Sequence, residues 1–287
     1  MFASQLESLT ELAARKPALK DICCFHTDLY RLWQTTPAFV QLNQDPTMIS
    51  RRQHEGFPLI SGMMLEIDRV KAAHFVGELL ALMATHGQQG QNEIQRLQQS
   101  LEAGQLHLSQ LLVAALDRNR QPICEKAAEL EIQAALLEYC LTLTLSGALP
   151  QCRAQAQIQI FENWQQGYCP FCGGLPSIAT LSGEEGKKTL HCSLCGCDWE
   201  FQRLTCIHCG NTDHETLAYF TAEGEPGYRV DICRKCCGYL KVVDNRQQQT
   251  NLLLDVADIA SLPLDFLAAK EGFSRGKKEN PDHAKGH

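Results

Sequence analysis

The chain has no apolar run approaching the roughly 18 residues that a membrane-crossing helix needs. Its first residues, MFASQLESLTELAARK, also lack the basic and apolar regions of an export signal. It is therefore expected to be soluble and cytoplasmic, with no membrane insertion. Positive charge is scarce as well: the formal net charge is -7, and the locally basic stretch at Lys277 and Lys278 is flanked by acids. Neutralising phosphate takes clustered Lys and Arg, so no nucleic acid is expected as a partner. No nucleophile, acid–base pair or open metal site stands out, so the chain is not expected to be an enzyme. The loop GEEGKKT imitates a phosphate loop, but Leu181 stands where that motif needs its first glycine. His74 and His86 have no acidic partner at zinc-protease spacing and are expected to be ordinary helix residues.

What the chain does have is cysteine, 15 in 287 residues, within an otherwise globular composition of 44% hydrophobic and 21% charged residues. Cytoplasmic thiols are kept reduced, which makes metal ligation a better explanation than disulfides. The pattern from Met1 to about Phe161 is helical, with Pro17, Pro37, Pro46, Pro58, Pro122 and Pro150 falling between periodic segments. The clearest helix is expected from Pro122 to Gly147, carried by Ile123, Ala127, Leu130, Ala134, Leu137 and Leu141. A second carries Ala73, Val76, Leu80 and Met83 and stops at Gly87. Cys23, Cys24, Cys124, Cys140 and Cys152 lie in this half and are expected in its core.

At Gly167 the composition changes to short alternating segments, glycines and paired cysteines. The expected fold class is α+β: an all-α N-terminal domain (1–166), two rubredoxin-like or zinc-ribbon-like four-cysteine modules (167–202 and 203–244), a C-terminal helical segment (245–273) broken near Pro263, and a disordered tail (274–287).

The cysteine pairs are CPFC, CSLC, CIHC and CRKC, and glycine follows the first three directly as Gly173, Gly196 and Gly210. A Cys-x-x-Cys turn sets two thiolates on one metal with backbone N–H groups aimed at the sulfurs, and glycine supplies the positive φ that closes it. The fourth pair departs from this, with Cys237 before Gly238. Between Cys172 and Cys192 lie 19 residues, and between Cys209 and Cys233 lie 23, enough for one hairpin in each case. Sequential pairing gives one site from Cys169, Cys172, Cys192 and Cys195, and another from Cys206, Cys209, Cys233 and Cys236. An interleaved cross-brace is the alternative.

Strands are expected at Ser177 to Leu181 and Lys188 to His191, around the turn GEEG, and again where Tyr228, Val230 and Ile232 alternate with Arg229 and Asp231. Four thiolates suit iron and zinc equally. Trp199, Phe201, Tyr219, Phe220, Tyr228 and Tyr239 could form an aromatic shell around a metal or could be plain core. His191 and His208 are expected to face solvent, since each site already has four cysteines.

The blocks YCPFCGGLPSIA, LHCSLCGCDWEFQRLTCIHCG and YRVDICRKCCGYLKVVD, in that order, resemble the formate dehydrogenase accessory protein FdhE family. VADIASLPLD (Val256 to Asp265) agrees further, and FASQLESLTELA agrees weakly. The chain is expected to begin near the family's first helix without its longer leader, and it departs in Cys197 and Cys237, which have no assigned place in the pattern. The resemblance implies a non-enzymatic cytoplasmic factor required for an active respiratory formate dehydrogenase, which it binds through the catalytic subunit. It also implies two rubredoxin-like metal ions, with iron favoured over zinc. Two other functions compete: a redox protein passing electrons through thiolate-bound iron, and a nucleic-acid-binding zinc ribbon. The second fits poorly, because Cys169 to Leu240 holds six Lys and Arg against nine Asp and Glu. The sequence gives no oligomeric state.

Overall fold

The computed structural model describes residues 2–43, 46–87, 89–156, 164–246 and 252–276. It divides into two units, Met1–Gln159 with Phe171–Gly173, and Ile160–Pro170 with Gly174–His287.

The first unit is built on helices α1 (Ala3–Arg15), α2 (Lys20–Thr35), α3 (Pro46–His54), α4 (Arg69–His86), α5 (Gln91–Glu102), α6 (Leu108–Leu116), α7 (Arg120–Glu129) and α8 (Ala134–Ala156). It is not purely helical, because β1 (Val40–Leu42) and β2 (Leu65–Ile67) pair antiparallel between α2 and α4. Asp68 caps α4 by accepting from the Val70 and Lys71 backbone N–H groups. Phe75, Val76, Leu79 and Leu80 form its buried stripe, and Gly87 follows its end.

The helix expected from Pro122 to Gly147 is two helices. Glu131 sits at φ 50°, and the Ile132 N–H donates back to Ala127 O at 3.0 Å, closing α7. α8 then runs through Gly147, expected as a helix end, and through Pro150, expected between helices. Gly147 is a contact point and not a stop: a Cβ there would lie 2.4 Å from Trp33 Cδ1. Cys23, Cys140 and Cys152 are core, whereas Cys24 and Cys124 are exposed, contrary to expectation. Burial raises the thiol pKa of Cys140 to about 12 and of Cys152 to about 11, so both behave as small apolar groups.

The second unit is a six-stranded sheet with two helices. Its elements are β3 (Ile178–Ser182), β4 (Lys187–Cys192), β5 (Cys197–Phe201), β6 (Leu217–Phe220), β7 (Tyr228–Cys233), β8 (Gly238–Asp244), α9 (Leu254–Ala260) and α10 (Leu262–Lys270). The strand order is β5-β4-β3-β8-β7-β6. Each half is an antiparallel meander, and the halves are joined by the parallel pair β3–β8, from Ile178 opposite Lys241 to Leu181 opposite Asp244. All seven residues of β8 are buried, including Lys241.

That lysine is tolerable because its ammonium lies 2.7 Å from both Asp258 and Asp265, and Arg275 reaches the same two carboxylates at 2.8 Å. Tyr239 OH donates to Asp265 at 2.6 Å, and burial with that carboxylate raises its pKa to about 12. Ser274 and Arg275, placed in a disordered tail by the sequence reading, are therefore bonded, Ser274 N–H donating to Cys237 O at 2.9 Å. Most of the polar link NRQQQTN and all of the tail after Gly276 lie outside the described residues.

Candidate metal centres

Both halves of the sheet repeat one local plan. A Cys-x-x-Cys turn precedes the first strand, and a second such turn connects the last two strands. Cys192 ends β4 opposite Cys197, which starts β5; Cys233 ends β7 opposite Gly238, which starts β8. The tight turns close through Gly196 N–H to Cys192 O (2.8 Å) and Gly210 N–H to Cys206 O (2.9 Å). Gly173, Gly196 and Gly210 have φ of 70°, 65° and 70°, and Cys237 takes the corresponding place in the fourth turn at φ 53°. Cys237 thus occupies a backbone position that the other three turns give to glycine. Gly238 after it is needed for space, since a Cβ there would meet His208 Cδ2 at 2.4 Å.

The strands bring the eight cysteines into two groups, Cys169, Cys172, Cys192 and Cys195, and Cys206, Cys209, Cys233 and Cys236, each with its sulfurs within 4.8 Å of one another. The groups are sequential and not interleaved. Cys169 and Cys195 sulfurs are 3.5 Å apart, Cys206 and Cys236 3.6 Å, and Cys209 and Cys233 3.8 Å. A tetrahedron with metal–sulfur bonds of about 2.3 Å has edges of about 3.8 Å, so both groups fit one four-coordinate ion. Among the described residues, no other His, Cys, Asp or Glu group has metal-holding geometry.

The groups differ in access. Cys169, Cys192 and Cys195 are 0% exposed and Cys172 4%, while Cys209 and Cys236 reach partial exposure. The second group has its own outer donor, Asn211 Nδ2 at 3.6 Å from Cys233 Sγ. In the thiol form, burial lifts Cys206 to about 11; it also opposes ionisation of Cys233, but Cys236 and Lys235 backbone N–H groups overcome this and leave Cys233 below the ordinary thiol value.

Around these groups, several expectations change. His191 is buried, with Nδ1 2.6 Å from Asp198 and Nε2 2.8 Å from Asp255 on α9. Burial lowers its pKa, but the two carboxylates outweigh that and hold it at about 10. It therefore does not face solvent; Asp255, remote in sequence, supplied no local signal. His208 is half-buried against Tyr239 O at 3.1 Å. Trp199 and Phe201 are buried, with Trp199 Nε1 donating to Gln166 O; Tyr239 belongs to an apolar cluster with Val230, Ile232 and Leu264, against which Phe220 and Tyr228 pack. Tyr219 is 59% exposed.

Two family models match the chain, "FdhE, central domain" over residues 168–203 and "FdhE, C-terminal domain" over 204–281. An FdhE homolog of Aquifex aeolicus is 36% identical over 115 residues, 39% of this chain and 40% of that protein. The matches to the first curated relatives thus span about 40% of their length. A homolog of Edwardsiella ictaluri is 26% identical over 96% of this chain and 86% of its own. The crystal structure of the FdhE protein from Pseudomonas aeruginosa superposes with a TM-score of 0.64 at 25% identity, covering 97% of this chain and 94% of that one. The cysteine-bearing halves of the sheet fall within the two matched domains, and over most of its length the chain is similar to FdhE proteins.

Proposed function

We propose that this chain is a cytoplasmic accessory factor that makes a respiratory formate dehydrogenase active, and that it binds the catalytic subunit through a region including the two four-cysteine groups. The observation that carries this reading is the pair of cysteine groups within a segment that matches the FdhE central and C-terminal domains. Each group offers four thiolates to one ion, which leaves no open corner for substrate, whereas a catalytic zinc site keeps one. The eight paired cysteines are the proposed ligands of two metal ions, and the resemblance favours iron over zinc. No described helix is long and apolar enough to cross a membrane. The test is co-purification of the tagged chain with the catalytic subunit, together with formate oxidation in cells lacking the gene. Contact and lost oxidation are expected; normal oxidation in the deletion strain would contradict the reading.

A redox reading draws on one observation, the partial exposure of Cys209 and Cys236, which would bring an iron of the second group near the surface. It predicts reversible reduction of the bound metal, and lost formate oxidation without detectable contact with the catalytic subunit would favour it.

A further inference from the structure

The sheet unit holds two ionic clusters, one around buried Lys241 and one around buried Lys188 and Arg229, and they differ in one respect. Around Lys241 the charges balance: two cations, Lys241 and Arg275, face two carboxylates, Asp258 and Asp265. The second cluster joins Lys188, Arg229 and Arg246 to Asp231 and Asp244, three cations to two anions. Lys188 Nζ takes one oxygen of Asp231 at 2.9 Å, and Arg246 takes both oxygens of Asp244 at 2.8 and 2.6 Å. That leaves Arg229, whose side chain is only 10% exposed.

The Arg229 Nε lies 2.9 Å from the other Asp231 oxygen, yet neither atom has a hydrogen-bond partner. Its Nη1 is 3.9 Å from Asp244, and its guanidinium rests 4.5 Å from the Tyr219 ring centre. Nε is thus the Arg229 side-chain atom buried without a hydrogen-bond partner. Such a donor is costly, and the guanidinium fork matches a carboxylate.

Arg229 lines a cavity of ≈ 110 Å³ beside the second cysteine group. That volume holds about one side chain and excludes a nucleotide-sized ligand. Leu204 and Tyr219, 68% and 59% exposed, also line it and offer apolar surface. Cys206 and Cys233 stand in the wall, and their thiolates disfavour a dianion such as phosphate.

We propose that this cavity receives one carboxylate side chain, with an apolar neighbour, from an acidic segment of the catalytic subunit, and that Arg229 is its anchor. The inference rests on the reading of the chain as a partner-binding accessory factor. The ligand carboxylate completes the charge balance that the Lys241 cluster already has, while its neighbour covers Leu204 and Tyr219.

Calorimetric titration of the full metal-loaded chain tests this with two probes: the intact catalytic subunit, and a blocked peptide of alternating Glu and Leu compared with its Gln and Leu twin. The acidic peptide should bind at least about tenfold more tightly than the neutral one, equivalent to about 1.4 kcal/mol. Arg229→Gln should abolish that preference and weaken the catalytic subunit about tenfold. Because Arg229 is buried, Leu204→Asp serves as the surface variant that leaves metal content and melting unchanged; it should weaken both acidic ligands similarly. Equal binding of the peptide twins, or wild-type affinity of Leu204→Asp for the subunit, overturns the cavity proposal and leaves the accessory reading standing. Failure of the subunit to bind even the wild-type chain overturns the accessory reading instead, and the peptide pair then decides the cavity alone.

Discussion

The two cysteine groups share a plan but not an environment. The first is shut: its four cysteines are at most 4% exposed, glycine closes both turns, and α9 lays Asp255 on the neighbouring His191. The second is partly open at Cys209 and Cys236, carries Cys237 where glycine serves elsewhere, and has Ser274 bonded to that residue. The lesson is that one cysteine arrangement can sit in two environments. The first group is enclosed throughout, while the partly open second group has Asn211 Nδ2 against Cys233 Sγ.

Metal removal should have the largest effect on that comparison. A closed four-thiolate site contributes on the order of 10 kcal/mol to folding, so chelation should unfold the sheet unit and leave the helical unit's circular dichroism largely intact. Cys169→Ser and Cys206→Ser should each loosen only this unit. Loss of all helical signal at the same midpoint would show that the chain folds as a single block.

Next is Asp258→Asn, which leaves Arg275 and buried Lys241 sharing one half-buried carboxylate and should cost about 3 kcal/mol, read from thermal unfolding. It should also flatten the acid limb of stability. Burial opposes ionisation of Asp258, but Lys241 and Arg275 overcome it and hold its pKa below the usual carboxylate value. Its contribution is therefore present above about pH 4, the unfolded value, and is lost as pH falls through the folded one. An unchanged acid limb in the variant would show that the Lys241 cluster does not support the second half of the sheet in this way.

Asn211→Ala should lower metal affinity of the second group alone, by about 10-fold to 100-fold, because it removes the outer donor to Cys233. Competition with a chromogenic chelator measures it, and equal weakening of both groups would contradict their independence. Cys237→Gly should have the smallest effect. Relief of a left-handed cysteine is worth about 1–2 kcal/mol, offset in part by glycine's greater freedom when unfolded, so a net gain of about 1 kcal/mol or less is expected. A clear loss of stability or metal would mean that the Cys237 side chain has a role of its own.

The grouping of the cysteines was legible in the sequence because it is local: a Cys-x-x-Cys turn announces itself in four residues, and each hairpin length follows from the residues between two turns. The helix break at Glu131 was hidden because the apolar spacing continues across it, and Gly147 looked like a stop because its close partner, Trp33, is distant in sequence. The burial of His191, Arg229 and Lys241 was equally hidden. Arg229 alternates with apolar residues in the sequence, and its strand lies inside a six-stranded sheet that no single hairpin discloses. Charged residues buried by tertiary partners have no period to find.

The most direct test of the account is metal stoichiometry of the chain purified without oxygen, set beside Cys169→Ser and Cys206→Ser. The account predicts two metal ions in the unaltered chain and one in each variant. A single ion in the unaltered chain, or loss of both ions from either variant, would contradict two independent four-thiolate centres.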